Sequence, residues 1–208
     1  MVVWTSYIPT VREIVKYARL ECKVYVICSD SNAVKTDLTS NDIPLDNVYY
    51  LEVDYNSIWC RDFGQWNVYT NKVDSLLLVD WIYNRPRPLD DAIPGAIAEE
   101  TGLPLYQTIT PPYDLVATGG NFMTDGWGTG FSSNLILDEN DGTEFSITPK
   151  TEAQIDSIMK AFMGIDRYVK MEALPYDVIH HIDMHLKLLD EETLLVGEYP
   201  EDVADGPQ

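Results

Sequence analysis

The sequence predicts a protein of the α/β or α+β class, built from short strands that alternate with amphipathic helices. Segments rich in β-branched and aromatic residues are typical of buried strands, and segments with apolar residues at helical spacing separate them. This order of strand, helix and strand occurs about three times in the 208 residues, without a residue-level repeat. Because 45% of the residues are hydrophobic, the chain can form a sizeable core.

One helix and two strands are predicted in the first part of the chain. A capping box at Thr10 and Glu13 predicts a helix of about three turns. Residues 23–28 are typical of a buried strand, and residues 48–53 indicate another. Between them, the polar residues 29–32 predict a loop that closes the first strand.

The rest of the chain alternates in the same way. A strand is predicted over residues 75–82 and a helix over Ile93–Thr101, which ends because Gly102 favours the left-handed conformation after a helix. Capping-box spacing at Thr151 and Gln154 predicts a further helix. Three strands follow, over residues 168–174, 182–189 and 194–197.

The net charge of −20 excludes some classes of partner. Thirty-four Asp and Glu residues against 14 Lys and Arg residues produce a surface that repels nucleic acids and anionic membranes. Cationic ligands are favoured, although the same charge is also typical of a solvated surface. No apolar run approaches the ~18 residues of a membrane span, and nucleotide-binding glycine motifs are absent. Three cysteines are too few for a disulfide framework.

The segment 58–64 combines charge with aromatic bulk. Arg61 and Asp62 lie between Trp59 and Phe63, in a run that would otherwise be core. Buried carboxylates are normally paired or functional, so these residues predict a site. The alternative is a solvated pair of charges in a loop.

Two arginines, Arg85 and Arg87, are each followed by proline. Proline keeps the preceding residue out of the helical region, so an extended segment is predicted in which both guanidinium groups point the same way. Such a pair suits a carboxylate, which arginine binds in bidentate fashion. Neutralisation of Asp90 and Asp91 by the two arginines is an equally good interpretation.

A glycine-rich block starts with Gly119, Gly120 and Asn121 and continues over residues 125–130. Glycine permits positive φ angles and a close approach of the backbone to a ligand. The same composition is typical of ordinary hairpin turns, which is the better interpretation of these residues taken alone.

All three histidines lie within residues 180–185. If this segment is a strand, His181, Asp183 and His185 share one face, so that an imidazole and a carboxylate serve proton transfer and cation binding. A metal site is the competing hypothesis. It is disfavoured because the segment lacks the glutamate of H-E-x-x-H and the chain has no other histidine.

Taken together, residues 59–62, the Gly-Gly-Asn block and the His-Ile-Asp motif resemble the guanidino-group-modifying enzymes, or penteins, in their order and spacing. The sequence is most similar to the bacterial Porphyromonas-type peptidyl-arginine deiminases, with agmatine deiminases as relatives. The segment 83–88 resembles the peptidyl-arginine branch in particular. The resemblance implies an α/β propeller of five modules, of which this chain supplies about three, as a truncated part, residues 1–208, of one catalytic domain.

The resemblance also implies the roles of the site residues. Asp62 and Asp183 bind a guanidinium group, and His181 acts as general acid and base. Arg85 and Arg87 hold the C-terminal carboxylate of a peptide. The remaining substrate-binding residues are Trp59, which lines the slot for the aliphatic stem, with Gly119, Gly120 and Asn121.

The nucleophile of this family is a cysteine located well after the His-x-Asp motif, and Cys22, Cys28 and Cys60 do not match it. The chain is therefore expected to be inactive by itself. The sequence differs from the peptidyl-arginine branch at Val178, where a tyrosine is expected, and from agmatine deiminases at Gln65, where a proline is common.

The function implied is hydrolysis of peptidyl arginine to citrulline and ammonia, with no metal or organic cofactor. Deimination of agmatine or free arginine is an alternative, and a non-catalytic arginine-binding module is an alternative of another class. The expected ligands are an arginine-containing peptide or a small guanidino compound. Apolar faces left open by an incomplete set of modules predict self-association, and the sequence leaves cellular location open.

Overall fold

A computed structural model describes residues 1–70, 73–175, 177–198 and 200. The described chain forms two compact units. The first unit comprises Met1–Leu78 and Arg85–Leu105, and the second comprises Val79–Asn84 and the chain from Tyr106 onward. Both contain helices and strands, so the mixed α/β class predicted from the sequence is confirmed.

Seven α-helices and twelve β-strands are found in the described residues. The helices are α1 (Ile8–Glu21), α2 (Ser31–Ser40), α3 (Cys60–Phe63), α4 (Pro88–Asp91), α5 (Ile93–Thr101), α6 (Leu135–Asp138) and α7 (Glu152–Met163). The strands are β1 (Val2–Val3), β2 (Val24–Cys28), β3 (Val48–Glu52), β4 (Trp66–Thr70), β5 (Ser75–Tyr83), β6 (Leu105–Thr108), β7 (Val116–Ala117), β8 (Met123–Thr124), β9 (Thr129–Ser133), β10 (Arg167–Met171), β11 (Leu186–Leu188) and β12 (Leu194–Val196). None of these helices has the length and apolar character that a membrane span requires.

The first unit contains a parallel sheet of order β1-β2-β3. Val2 lies opposite Val26, and Val24 lies opposite Val48. Parallel strands need a crossover connection, and here α1 and α2 provide the two crossovers. The core between this sheet and the two helices consists of Val2, Val15, Val24, Val26, Cys28, Val34, Leu38, Ile43 and Val48.

One prediction for this unit was wrong, and one helix was not predicted. Helix α1 begins at Ile8 and not after a cap at Thr10, because Tyr7 occupies the N-cap position with φ 53° and makes no side-chain cap. Residues 29–32 follow the end of β2 at Cys28 as predicted, but they also start helix α2, since Asp30 caps it by accepting hydrogen bonds from the backbone N–H groups of Asn32 and Ala33. An aspartate two residues after a strand was the available signal for this missed helix.

Strand β5 belongs to both units, because its first residues, 75–78, lie in the first unit and the remainder in the second. In the second unit β7 runs parallel to it, with Ile82 opposite Val116. Helix α5 has the predicted bounds, Ile93–Thr101, and Gly102 ends it at φ 67° as expected.

The second unit also contains a sheet of order β10-β9-β8. Strands β8 and β9 form an antiparallel hairpin, and β9 and β10 are parallel. Helix α7 lies between β9 and β10 in the chain, and its capping box at Thr151 and Gln154 is confirmed. Strands β11 and β12 pair in antiparallel fashion.

The prediction of one strand over residues 182–189 was wrong. Ile182–Met184 form a 3-10 turn, and only Leu186–Leu188 form a strand. Ile182 and Leu186 are fully buried beside Met123, so the alternating apolar pattern came from core contacts of a turn and a strand together. The backbone bends because Met184 N–H donates to the carbonyl of His181.

Candidate active site

The short helix α3 positions the predicted residues of the first unit. The carbonyl of Trp59 accepts hydrogen bonds from the N–H groups of Asp62 at 2.8 Å and Phe63 at 3.1 Å. Phe63 is buried at 3% exposure and anchors the turn, whereas the Trp59 side chain is 52% exposed. The aromatic residues therefore have different roles, since only Phe63 belongs to the core.

The side chains of Arg61 and Asp62, both in helix α3, differ in their surroundings. The Arg61 guanidinium lies over the ring of Trp66, 5.0 Å from the centroid, in a cation–π contact. Asp62 is half-buried. Gly64 follows, and a Cβ there would lie 2.4 Å from the carbonyl oxygen of Cys60, so the end of α3 requires glycine.

The predicted extended segment around Arg85 and Arg87 is wrong. Arg87 N–H donates to the carbonyl of Arg85 at 2.7 Å, which closes a tight turn around the intervening proline. Arg85 is exposed and Arg87 is half-buried. The Arg87 guanidinium reaches the Ser57 hydroxyl at 3.5 Å.

Asn121 joins two predicted motifs inside the second unit. Its Oδ1 accepts hydrogen bonds from Ser133 N–H at 2.9 Å and from Ile182 N–H at 3.1 Å. The side chain is buried at 3% exposure. One amide oxygen therefore holds the glycine-rich turn, strand β9 and the His-Ile-Asp motif together.

Gly119 and Gly120 precede this asparagine in a buried 3-10 turn. Neither has a positive φ, so the conformational reason for glycine that the sequence offered does not apply to them. The positive φ angles occur at Gly126 and Gly128, in the hairpin turn between β8 and β9. Asp125 closes that turn by accepting N–H hydrogen bonds, and the hairpin interpretation is correct for this part of the block.

His181 and Asp183 differ in burial. His181 is buried at 6% exposure, at the N-cap of the 3-10 turn, and Asp183 is exposed within that turn. The predicted shared strand face is wrong because the turn replaces the alternation of a strand. The Ser133 hydroxyl donates to the carbonyl of His180, so strand β9 supports this segment at a second point.

A family model for Porphyromonas-type peptidyl-arginine deiminase matches residues 3–207. The chain belongs to this family. The resemblance inferred from the three motifs is thereby confirmed.

The chain is also similar to agmatine deiminases. A protein of Latilactobacillus sakei subsp. sakei (strain 23K), named "Putative agmatine deiminase", is 29% identical over 137 residues. That match covers 60% of this chain and 34% of the relative. The chain thus aligns with about a third of this curated relative.

Two solved deiminases share the fold. The C. jejuni agmatine deiminase matches with a TM-score of 0.69 and 24% identity, over 93% of this chain and 57% of that one. The Enterococcus faecalis enzyme matches with a TM-score of 0.73 and 19% identity, over 97% of this chain and 58% of that one. The prediction of the α/β-propeller fold is confirmed, and the shares of 57% and 58% agree with about three modules of five.

Two of the three cysteines have surroundings that disfavour a reactive thiolate. Burial raises the pKa of Cys28 and that of Cys60, which disfavours the reactive thiolate. The Cys60 sulfur lies 3.6 Å from the carbonyl oxygen of Met1. Cys22 is exposed, and its thiol donates to the carbonyl of Ala18 at 3.5 Å.

His185 lies two residues after Asp183 and was not predicted to transfer protons. Neither ring nitrogen has a hydrogen-bond partner among the described residues. Burial lowers its pKa, while Asp177 and Asp183 act in the opposite direction. The metal hypothesis gains no support, because the described residues contain no cluster of three metal-binding side chains.

Proposed function

We propose that this chain carries the substrate-recognition and acid–base residues of an enzyme that hydrolyses arginine in peptides to citrulline and ammonia. The observation that carries the proposal is the Asn121 side chain, which accepts hydrogen bonds from Ser133 in strand β9 and from Ile182, 61 residues away, in the His-Ile-Asp turn. A buried amide that fixes a histidine and an exposed carboxylate at one turn is typical of an organised site. Family membership over residues 3–207 supplies the reaction class.

Asp62 and Asp183 are the proposed ligands of the substrate guanidinium. Arginine remains protonated at every working pH, and its N–H groups match the geometry of carboxylates. The net charge of −20 adds a general attraction for cations. Trp59, with its exposed ring, is proposed to pack against the aliphatic stem of the substrate.

His181 is the proposed general acid and base. A cysteine thiolate attacks the guanidinium carbon, and the histidine gives its proton to the leaving nitrogen, which departs as ammonia. The histidine then takes a proton from water as that water attacks the same carbon. The carbon–sulfur bond then breaks, which restores the thiolate, and the hydroxyl group left by the water loses its proton to solvent as citrulline is released.

We propose that the 208 residues alone do not complete this cycle. Cys28 and Cys60 have raised pKa values, the Cys22 thiol donates to the carbonyl of Ala18, and none of the three cysteines follows the His-Ile-Asp motif. Release of ammonia and citrulline from arginine peptides by this chain, above a blank without protein, would contradict this part of the proposal.

A peptide substrate is favoured over agmatine by Arg85 and Arg87, because agmatine has no carboxylate for them to bind. The alternative substrate, agmatine, is supported by the likeness to agmatine deiminases. Turnover of a C-terminal-arginine peptide and of agmatine by the natural full-length protein separates the two. A higher kcat/KM for agmatine would overturn the peptide assignment.

A non-catalytic arginine-binding module is the candidate of another class. The test is calorimetric titration of this chain with Gly-Gly-Arg. Asp62→Asn and Asp183→Asn are each expected to weaken binding about tenfold or more, since each removes a charge-assisted partner of the guanidinium. The non-catalytic module instead predicts unchanged affinity in both variants, an outcome that would remove the proposed roles of these carboxylates.

A further inference from the structure

We propose that Asp90 is a positioning residue which, through Ser57, fixes Arg87 relative to the segment of Trp59 and Asp62 and thereby selects ligands with a C-terminal carboxylate. This inference rests on the proposed function. Its basis is a set of hydrogen bonds inside the first unit among Asn56, Ser57 and the start of helix α4. We refer to Asn56, Ser57, Leu89 and Asp90 as the α4 clamp.

Asp90 is the centre of the α4 clamp. Its carboxylate is completely buried, at 0% exposure. Oδ1 accepts hydrogen bonds from the N–H of Asn56 at 2.7 Å and of Ser57 at 3.0 Å, and Oδ2 accepts from the Ser57 hydroxyl at 2.6 Å. A buried carboxylate is costly without such partners, so these contacts define its place.

Hydrogen bonds run in both directions across the α4 clamp. Leu89 N–H donates to the side-chain Oδ1 of Asn56 at 2.9 Å. The loop thus donates to the helix through backbone N–H groups and accepts from it through a side chain. Contacts in both directions fix the separation of the two segments better than one bond does.

The Ser57 hydroxyl connects the α4 clamp to the proposed ligand contacts. It donates to Asp90, accepts from Trp59 N–H at 3.3 Å and lies 3.5 Å from the Arg87 guanidinium. Trp59 starts helix α3, which carries Asp62. A single hydroxyl therefore joins the segment proposed for the guanidinium to the arginine proposed for the carboxylate.

A fixed separation produces selectivity for ligand length. In a C-terminal arginine, the length of the side chain limits how far the guanidinium can lie from the carboxylate, and a rigid pair of binding groups favours ligands that can reach both groups without further ordering cost. Loss of the hydrogen bond between Ser57 and Asp90 is expected to leave binding of the ligand guanidinium in place and to weaken the contribution of the ligand carboxylate to affinity.

The test is calorimetric titration of the full 208-residue chain with Gly-Gly-Arg and with its C-terminal amide, which differ only in the carboxylate. The wild-type chain is expected to prefer the acid. Asp90→Asn keeps an oxygen for the two backbone N–H groups but presents an NH2 group to the Ser57 hydroxyl, so the preference is expected to fall about tenfold. Asp54→Asn, an exposed change in the same unit, is the matched control and keeps the preference.

A second pair of variants serves if Asp90→Asn does not fold. Ser57→Ala removes the connecting hydroxyl and is expected to lower the preference, whereas Ser57→Thr retains a hydroxyl and restores it. A merely structural role would weaken binding of acid and amide equally. Folded variants that keep the wild-type ratio overturn the inference alone.

The wild-type titrations test the proposed function separately. Equal affinity for acid and amide overturns the carboxylate role of Arg87, and with it the inference. If neither peptide binds, guanidinium recognition fails as well. Acid preference in the wild-type chain, lost in Asp90→Asn and restored by Ser57→Thr, supports both.

Discussion

The two units hold their motif segments with different chemistry. In the first unit, a buried carboxylate, Asp90, binds the loop before Trp59 through two N–H groups and a hydroxyl. In the second unit, a neutral amide, Asn121, accepts two N–H groups and so holds the turn of His181. Both side chains accept hydrogen bonds from backbone N–H groups that secondary structure leaves without partners. In each unit, a buried hydrogen-bond acceptor therefore holds an irregular motif, and this acceptor is charged in the first unit and neutral in the second.

The largest expected effect comes from removal of the neutral acceptor. Asn121→Leu leaves the N–H groups of Ser133 and Ile182 buried without a partner, which is expected to lower the free energy of unfolding by roughly 4 kcal/mol. Denaturant unfolding measures this change in the free energy of unfolding. Asn32→Leu, an exposed change on α2, is the control and is expected to stay close to the wild-type value. Equal stability of the two variants would show that the amide is not an anchor.

The second unit also contains a buried pair of charged side chains. Lys150 and Asp114 form a salt bridge at 2.9 Å with side-chain exposures of 2% and 5%. Lys150→Met leaves the carboxylate buried without its cation and is expected to cost about 3 kcal/mol. Lys160→Met removes the exposed bridge to Asp166 and is expected to change stability little. Similar losses in the two variants, by thermal unfolding, would contradict the role of burial.

The same pair predicts a pH dependence. Burial alone raises the pKa of Asp114, but hydrogen bonds from Thr148 and Lys150 outweigh it and hold the pKa below its ordinary value. The stabilisation is therefore complete above the ordinary aspartate pKa of about 4 and is lost as pH falls through the lowered pKa of the folded state. Asp114→Asn is expected to reduce the fall in unfolding free energy between pH 5 and pH 2 relative to the wild-type chain. Parallel curves would refute this assignment.

The smallest effect on stability is expected at Trp59. Its ring is 52% exposed, so Trp59→Ala is expected to change the free energy of unfolding by less than about 1 kcal/mol. Affinity for Gly-Gly-Arg is nevertheless expected to fall severalfold, since the ring is proposed to cover the arginine stem. Phe63→Ala is the contrasting variant, because that ring is buried and its loss is expected to cost about 3 kcal/mol. Unchanged ligand affinity in Trp59→Ala would remove its binding role.

Local signals predicted the regular elements well. Glycine after α5 and the capping box of α7 act within a few residues, so their helices were placed correctly. Thr10 failed as a cap because Tyr7 and Pro9 start α1 earlier. The strand expected at 182–189 failed because alternating apolar residues are compatible with a 3-10 turn followed by a strand, and only the contacts of Ile182 distinguish the two.

The candidate site divides in the same way. Asp62, His181 and Asp183 were proposed as site residues from the motif pattern of the chain alone. The supporting roles of Asp90 and Asn121 could not be predicted in this way, because Asp90 bonds to positions 33 and 34 residues distant and Asn121 to positions 12 and 61 residues distant, and neither carries a local signal for its partners. Chain order therefore specifies the family and suggests the residues proposed to react. The folded structure specifies the acceptors that hold them, because a hydrogen bond between distant segments exists only once tertiary contacts have brought them together.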